Sequence, residues 1–471
     1  MMDMLLNGEW VDLPRRMEVR DPQDGCLIDT VPHSGAEEMR AAIDAAECGA
    51  ERARQMPTHQ RIAILQRAAD TVAARHEEFA RTIAREGVKT IREARKEVTR
   101  CIGTLNLSAE EARRICGATI PFDQQPGSEG RVGYYTREPL GVVGAITPFN
   151  DPLNLVAHKI GPALAAGNAL IVKPHEATPL SALMLGRAIC DAGLPAGVLQ
   201  VITGPGALAG DALVADQRVR ALSFTGGRAT GEAILRRAGL KKVSLELGGN
   251  SPVIVMPDAD LDLAVSASVS GAFWAAGQNC LHVQRLLIHD AIYAEFAARF
   301  VGAAAAYRVG DKLDEATDMG PLISEAAARR VEQLVAEAVA AGARLLTGGK
   351  RSGAFYAPTV LEDVPDACQL ARDEVFGPLT MLVRFRTLDE AIRQSNRVDY
   401  GLHAGIFTGD VRAAFRAAAE LRCGGVMVND SSDYRIDAMP FGGVKGSGLG
   451  REGVRFAIQE LTEIKVVCFN L

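Results

Sequence analysis

Residues 141–179, GVVGAITPFNDPLNLVAHKIGPALAAGNALIVKPHEATP, decide the fold class. A β-branched apolar run ends in the turn Thr147-Pro148-Phe149-Asn150, AHKIGPALAAG reads as a helix, and NALIVKP is a second apolar run. Thr178-Pro179 then opens the helix LSALMLGRAICDAG, which stops at Gly193. Short apolar runs without alternation are strands covered on both faces, and their regular exchange with helices predicts a parallel, doubly wound sheet. Moving outward, GVLQVITG, the helix around GALAGDALVAD, VRALSFTGG, GEAILRRAG and KKVSLELGG continue the pattern. Upstream, Ser34 and Glu37 read as a capping box ahead of a long amphipathic helix, and two more helices follow, so the first hundred residues are mostly helical. From about Asn250 a second alternating block, from SPVIVM to GGVMVND, predicts a second α/β domain.

Composition narrows the function classes. At 471 residues the chain suggests two or three domains, and 48% hydrophobic with 23% charged residues is a globular make-up. A net charge of -6 and no basic face exclude nucleic acid and anionic membrane as expected partners. No apolar run approaches the roughly 18 residues a membrane span needs. MMDMLLNGEW is neither basic nor apolar enough for a signal peptide, so a cytoplasmic location is expected. Nine cysteines, odd in number and without a C-x-x-C pair, fit neither a disulfide framework nor a zinc ribbon. Eight histidines without H-x-x-x-H or a carboxylate cluster predict no metal.

In open parallel sheets ligands gather beyond the carboxyl ends of strands. Those ends carry Thr147-Pro148-Phe149-Asn150, Lys173-Pro174-His175-Glu176, Thr225-Gly226-Gly227 and Glu246-Leu247-Gly248-Gly249. Singly each has a bland reading: Asn150 as a helix cap, Lys173 as a solvated strand end, Glu176 as a first-turn acid, the glycines as a tight turn. Glu246 is the least bland, because it interrupts an apolar strand and is costly to bury without a partner or a purpose. Cys280, in FWAAGQNCLHVQRLLI at 273–288, sits between an Ala/Gly-rich run and a β-branched one. The G-x-G-x-x-G fingerprint of dinucleotide binding is absent from any strand-to-helix turn.

Together, TPFN, KPHEATP, FTGG, ELGGNSPVIV, GQNC, EVFGP and PFGGVKGSG stand in an order and at separations that resemble the aldehyde dehydrogenase superfamily over essentially the whole chain. The resemblance implies an aldehyde dehydrogenase-like α/β fold with an atypical Rossmann NAD-binding domain at 1–118 and 138–248 and a catalytic domain at 249–448. It also implies a small β oligomerisation element at 119–137 and 449–471, and a homodimer or homotetramer. Lys173 and Glu176 match positions that hold the adenosine ribose, where a carboxylate favours NAD over NADP by repelling a 2′-phosphate. Thr147, Pro148, Thr225, Gly226, Gly227 and Leu247 fall at the cofactor turns, and Glu374 and Phe376 of EVFGP at the nicotinamide ribose and ring. The family more often has Gly-Ser at the 226–227 pair. Cys280 matches the nucleophile, Asn150 the oxyanion donor and Glu246 the general base that releases a free acid rather than a coenzyme A ester.

Substrate choice rests on fewer residues. Asn154 and His158 are four apart on one helix face, Arg100 belongs to a helix whose family counterpart borders the entrance, and Arg285 follows the nucleophile. Cationic groups there predict an aldehyde with an anionic tail. DPLNLVAHKIGPALAAGN with GQNCLHVQR most resembles the phosphonoacetaldehyde dehydrogenases, implying oxidation of phosphonoacetaldehyde to phosphonoacetate in phosphonate breakdown. The alternatives are lactaldehyde, succinate semialdehyde or sulfoacetaldehyde as substrate, and, in a different class, a catalytically silent binding protein that kept the fold.

Overall fold

The computed structural model describes residues 1–471. Its first sheet has eight strands in the order Glu9–Val11, Met4–Leu6, Leu199–Val201, Ala169–Lys173, Val142–Ile146, Val219–Thr225, Lys242–Glu246, Gly448–Leu449. The five central strands are parallel, as the alternation predicts, and the outer ones antiparallel. The chain builds outward from Val142–Ile146 through 169–173 to 199–201, then returns to place Val219–Thr225 on the other side. That reversal is a topological switch point, where adjacent strand-to-helix turns diverge and leave a crevice.

The second sheet has seven strands in the order Arg344–Thr347, Thr359–Glu362, Leu379–Phe385, Val283–His289, Ser251–Val255, His403–Phe407, Gly425–Val428, all parallel except the first. Only residues 247–250 separate the end of Lys242–Glu246 in the first sheet from Ser251–Val255 in the second. The chain crosses back at Gly448, which pairs with Glu246. Leu247 N–H donates to the Ser447 carbonyl at 3.0 Å, and Ser447 Oγ donates to the Gly248 carbonyl at 2.8 Å, tying the two crossings together. A third, antiparallel sheet pairs Thr462–Asn470 with Arg131–Pro139 in one unbroken register, with Ala118–Ile120 on the far edge.

Two local expectations shift. The first long helix runs Ala36–Gln55 with Gly35 as its cap, and Glu38 Oε2 accepts the Gly35 N–H at 2.7 Å. Ser34 Oγ instead meets Met4 Sδ, so the cap lies one residue later than the Ser34/Glu37 pattern indicates. The helical N-terminal segment is preceded by four short strands within residues 4–32. Asn7 and Gly8, at φ 53° and 83°, make the two-residue turn that joins Met4–Leu6 to Glu9–Val11. An Asn-Gly pair between apolar residues is the local signal for that hairpin.

Candidate active site

The carboxyl ends of the first sheet face the amino ends of the second across a cleft of about 570 Å³. Thr147, Pro148 and Asn150 enter from the turn after Val142–Ile146, Lys173 and Glu176 from the next strand, Thr225, Gly226 and Gly227 from across the switch point. Glu246 and Leu247 end the neighbouring strand, and Cys280, Glu374 and Phe376 come from the opposite domain. Every residue that the sequence assigns to catalysis or cofactor binding therefore lines one space.

Each is positioned for a reason. Asn150 precedes the helix Asn154–Ala166, whose first free N–H groups, Leu153 and Asn154, donate to Glu97 Oε1 at 2.8 and 3.0 Å. The second oxygen of Glu97 takes a bond from buried Lys89 at 2.8 Å, and Lys89 also meets Asp151. This fixes the turn that presents Asn150. The Cys280 loop is held from below. Ala275 and Ala276 lie in the left-handed region at φ 50° and 54°, which costs a non-glycine residue roughly 1–2 kcal/mol each. Glu93 Oε1 accepts the Ala275 N–H at 2.9 Å while its other oxygen caps the helix Ile91–Ala112 through Thr90 N at 2.8 Å. Gln278 donates to the carbonyls of Ala275 and Pro321 and accepts from Ile323 N–H. Gly277, at φ 65°, has no alternative, since a Cβ there would collide with the Gly377 carbonyl.

Electrostatics sets the resting protonation. Burial pushes the Cys280 thiol up to about 12; Arg435 pulls it down, and Glu374, Glu246 and Glu452 push it further up. Glu246 is buried with neither carboxylate oxygen hydrogen-bonded, and burial together with Glu452 raises it well above the usual carboxylate range. Burial would raise Glu452 too, but Lys159 and Arg435 outweigh it and hold that carboxyl ionised. Glu374, whose Oε1 accepts Gly249 N–H at 3.0 Å, is raised by burial to about 7. Burial thus favours the neutral forms of Cys280 and Glu246, while Lys159 and Arg435 keep the negative charge on Glu452.

The cleft suits a dinucleotide. Thr147 and Thr225 leave buried hydroxyls without a protein partner. Gly227 caps the eleven-residue helix Arg228–Ala238, and no atom lies within 4 Å of where its Cβ would be, so the helix N-terminus is open to a phosphate. Glu176 Oε2 accepts Gly206 N–H at 3.3 Å. Phe376, at φ 51°, meets Phe149 edge-on with ring centres 5.7 Å apart.

The four residues assigned to substrate divide. Arg100, Asn154 and His158 converge on a carboxylate that sequence reasoning missed, Asp437, at 2.7, 3.2 and 2.9 Å. Arg285 does not join them. On the strand Val283–His289 its guanidinium runs away from the cleft to the backbone carbonyls of Asn250, Gln394 and Ser395. Nearness in sequence to Cys280 misleads because the strand carries the side chain into the second domain, so Arg285 is a structural residue. Arg435, Glu452 and Lys159 were also missed; Arg435 lies over Phe441 at 3.8 Å, and Phe441 packs with Leu281 and Leu402 against Cys280.

A model of the aldehyde dehydrogenase family matches residues 10–467. The chain is 53% identical over 455 residues to aspartate-semialdehyde dehydrogenase 1 of Pseudomonas canavaninivorans, covering 97% of each protein. It is 46% identical over 468 residues to the 3-sulfolactaldehyde dehydrogenase of Priestia megaterium, covering 99% of this chain and 98% of the other. Among solved structures, glyceraldehyde-3-phosphate dehydrogenase GapN of Methanocaldococcus jannaschii complexed with NADP superposes with a TM-score of 0.94 at 42% identity, covering 98% of this chain and 100% of that one.

Proposed function

Because the chain belongs to the aldehyde dehydrogenase family, an oxidoreductase family that uses a nicotinamide cofactor, we propose that it oxidises a small anionic aldehyde to the free carboxylic acid, with NAD as the preferred oxidant. The observation that carries the reading is the meeting of Cys280, Asn150 and Glu246 in one cleft. The Cys280 thiol gives up its proton to solvent as its sulfur adds to the aldehyde carbon, and the Asn150 amide with the Cys280 N–H receives the oxyanion made from the carbonyl oxygen. The cofactor, when bound, would accept the hydride that leaves this carbon as the C=O bond re-forms, and Cys280 is left carrying a thioester. Glu246 then takes a proton from the water that cleaves the thioester on Cys280. Lys173 and Glu176 would hold the adenosine ribose, the Gly226-Gly227 turn the pyrophosphate, and Glu374 and Phe376 the nicotinamide end. Glu176 supports NAD by charge, while the relative complexed with NADP makes the preference a matter for measurement.

For the substrate, Arg435 beside the nucleophile supports an anionic tail. So do two relatives whose names give aspartate semialdehyde and 3-sulfolactaldehyde, both anionic. Neither name gives phosphonoacetaldehyde, which therefore enters as one compound among several. We extend the proposal to a homodimer or homotetramer joined through the three-stranded sheet, whose Val132, Tyr134, Ile464 and Val466 are exposed. The nine free cysteines, the nucleophile among them, suit a reducing compartment such as the cytoplasm.

The test is reduced-cofactor formation with aspartate semialdehyde, succinate semialdehyde, 3-sulfolactaldehyde, phosphonoacetaldehyde, lactaldehyde and propanal, each with NAD and with NADP. The expected result is a kcat/KM at least about tenfold higher for an anionic aldehyde than for propanal, and higher with NAD. A preference for propanal would overturn the anionic reading. Asn150→Ala is expected to slow the first turnover by about 100- to 1,000-fold, as loss of one oxyanion donor does. The readout is the pre-steady-state burst; a burst unchanged in rate would remove Asn150 from the mechanism.

A further inference from the structure

The helix Ile91–Ala112 opens on a capping box, in which Glu93 Oε2 accepts the Thr90 N–H at 2.8 Å and the Thr90 hydroxyl at 3.2 Å. Glutamine closes such a box as glutamate does, so the cap alone does not call for a carboxylate. Glu93 is nevertheless buried, and no cation stands in ion-pair contact with it; the neighbouring Lys89 turns to Glu97 and Asp151 instead. A carboxylate without a cation is costly to bury unless its hydrogen bonds require it. What it adds over an amide is a second acceptor, and that oxygen, Oε1, takes the Ala275 N–H at 2.9 Å.

Ala275 stands where the nucleophile's loop departs from the helix Leu261–Phe273. It and Ala276 lie at φ 50° and 54°, a region that resists a side chain. The Ala275 carbonyl then accepts both the N–H and the Nε2 of Gln278 at 3.1 Å, and Gln278 Oε1 accepts the Ile323 N–H at 2.9 Å. Cys280 follows two residues later. Glu93 therefore grips the N–H of a strained residue whose carbonyl anchors the turn leading into Cys280.

Resting on the reading of Cys280 as the nucleophile, we propose that Glu93 is a positioning residue for catalysis: its second oxygen holds Ala275 in the left-handed conformation from which Cys280 is aimed at the aldehyde. Glu93 does not line the cleft and acts through the loop alone.

The test follows the pre-steady-state burst in Glu93→Gln, Ala275→Gly and the double variant. The glutamine has one oxygen, and the cap three residues back claims it, which leaves an amide NH2 facing the Ala275 N–H. The burst is expected to slow by about 10- to 100-fold, the effect of a displacement near 1 Å, while the cofactor Kd, read by fluorescence titration, stays within about threefold. Glycine takes a positive φ without strain, so Ala275→Gly should leave the burst within about threefold of wild type and, in the double variant, restore most of the lost rate. A Glu93→Gln burst at the wild-type rate, with only the melting temperature lowered, makes Glu93 a helix cap and overturns the proposal. So does a double variant no faster than Glu93→Gln. If Glu93→Gln does not fold, Glu93→Asp, which keeps the charge but loses the reach, is expected to show the same fall and the same rescue, and a wild-type burst there overturns the proposal equally. A wild type that gives neither a burst nor an acyl adduct on Cys280 defeats the nucleophile reading itself, a separate outcome.

Discussion

Cys280→Ala is expected to reduce aldehyde oxidation at least about 10,000-fold, the scale seen when a covalent nucleophile is removed from an otherwise intact site. Of nine free cysteines only Cys280 lines the cleft, so no other thiol can substitute. The replacement removes a sulfur from a partly exposed position and leaves the backbone N–H that would serve the oxyanion. Folding should be unaffected, and cofactor should still bind. The check combines steady-state rates with mass spectrometry of enzyme quenched during turnover, where the wild type carries an acyl adduct on the peptide containing Cys280. A residual rate within tenfold of wild type would mean that hydride leaves a hydrated aldehyde without covalent help.

Glu246→Gln separates the two halves of the reaction. The first turnover should survive, giving a burst of one reduced cofactor per site, while hydrolysis of the thioester slows by about 100- to 10,000-fold and the acyl enzyme accumulates. The substitution is nearly isosteric, and no protein hydrogen bond is lost, because neither oxygen of Glu246 has one. The pH dependence has a defined sign. Burial and Glu452 raise the carboxyl, so its basic form is populated only as pH climbs through that raised value, and wild-type hydrolysis increases with pH over that window. In the variant this limb disappears, leaving only attack by hydroxide. A variant that hydrolyses the thioester with the wild-type pH profile would assign the base elsewhere.

The cleft residues of the first sheet were legible because they stand at the ends of apolar strands in a parallel sheet, whereas Cys280, Glu374 and Phe376, which precede strands of the second sheet, were legible only through the family resemblance. Thr147, Lys173, Thr225 and Glu246 are polar at positions where strand periodicity forbids it, and topology alone brings such ends together. The partners were not legible. Asp437 and Arg435 sit in a loop hundreds of residues from Arg100 and His158, where charged residues ordinarily mean solvent. Glu93 closes a capping box with Thr90, a local contact, but its second oxygen reaches a loop 182 positions away. Arg285 shows the opposite failure: proximity along the chain suggested a role that the direction of a strand side chain denies. Periodicity and local caps report on neighbours within a turn or a strand. Ion-pair networks between domains have no periodicity to report.

The placement of Glu246 at both crossings between the two sheets has a mechanical consequence. The chain leaves the first sheet just after this residue and returns to pair with it at Gly448. Glu246 is therefore held by backbone pairing on both sides, to Thr225 of the neighbouring strand and to Gly448 of the returning one. Neither of its carboxylate oxygens has a hydrogen-bond partner, so the ladder of the sheet, and no side-chain contact, sets where this carboxylate stands in the cleft.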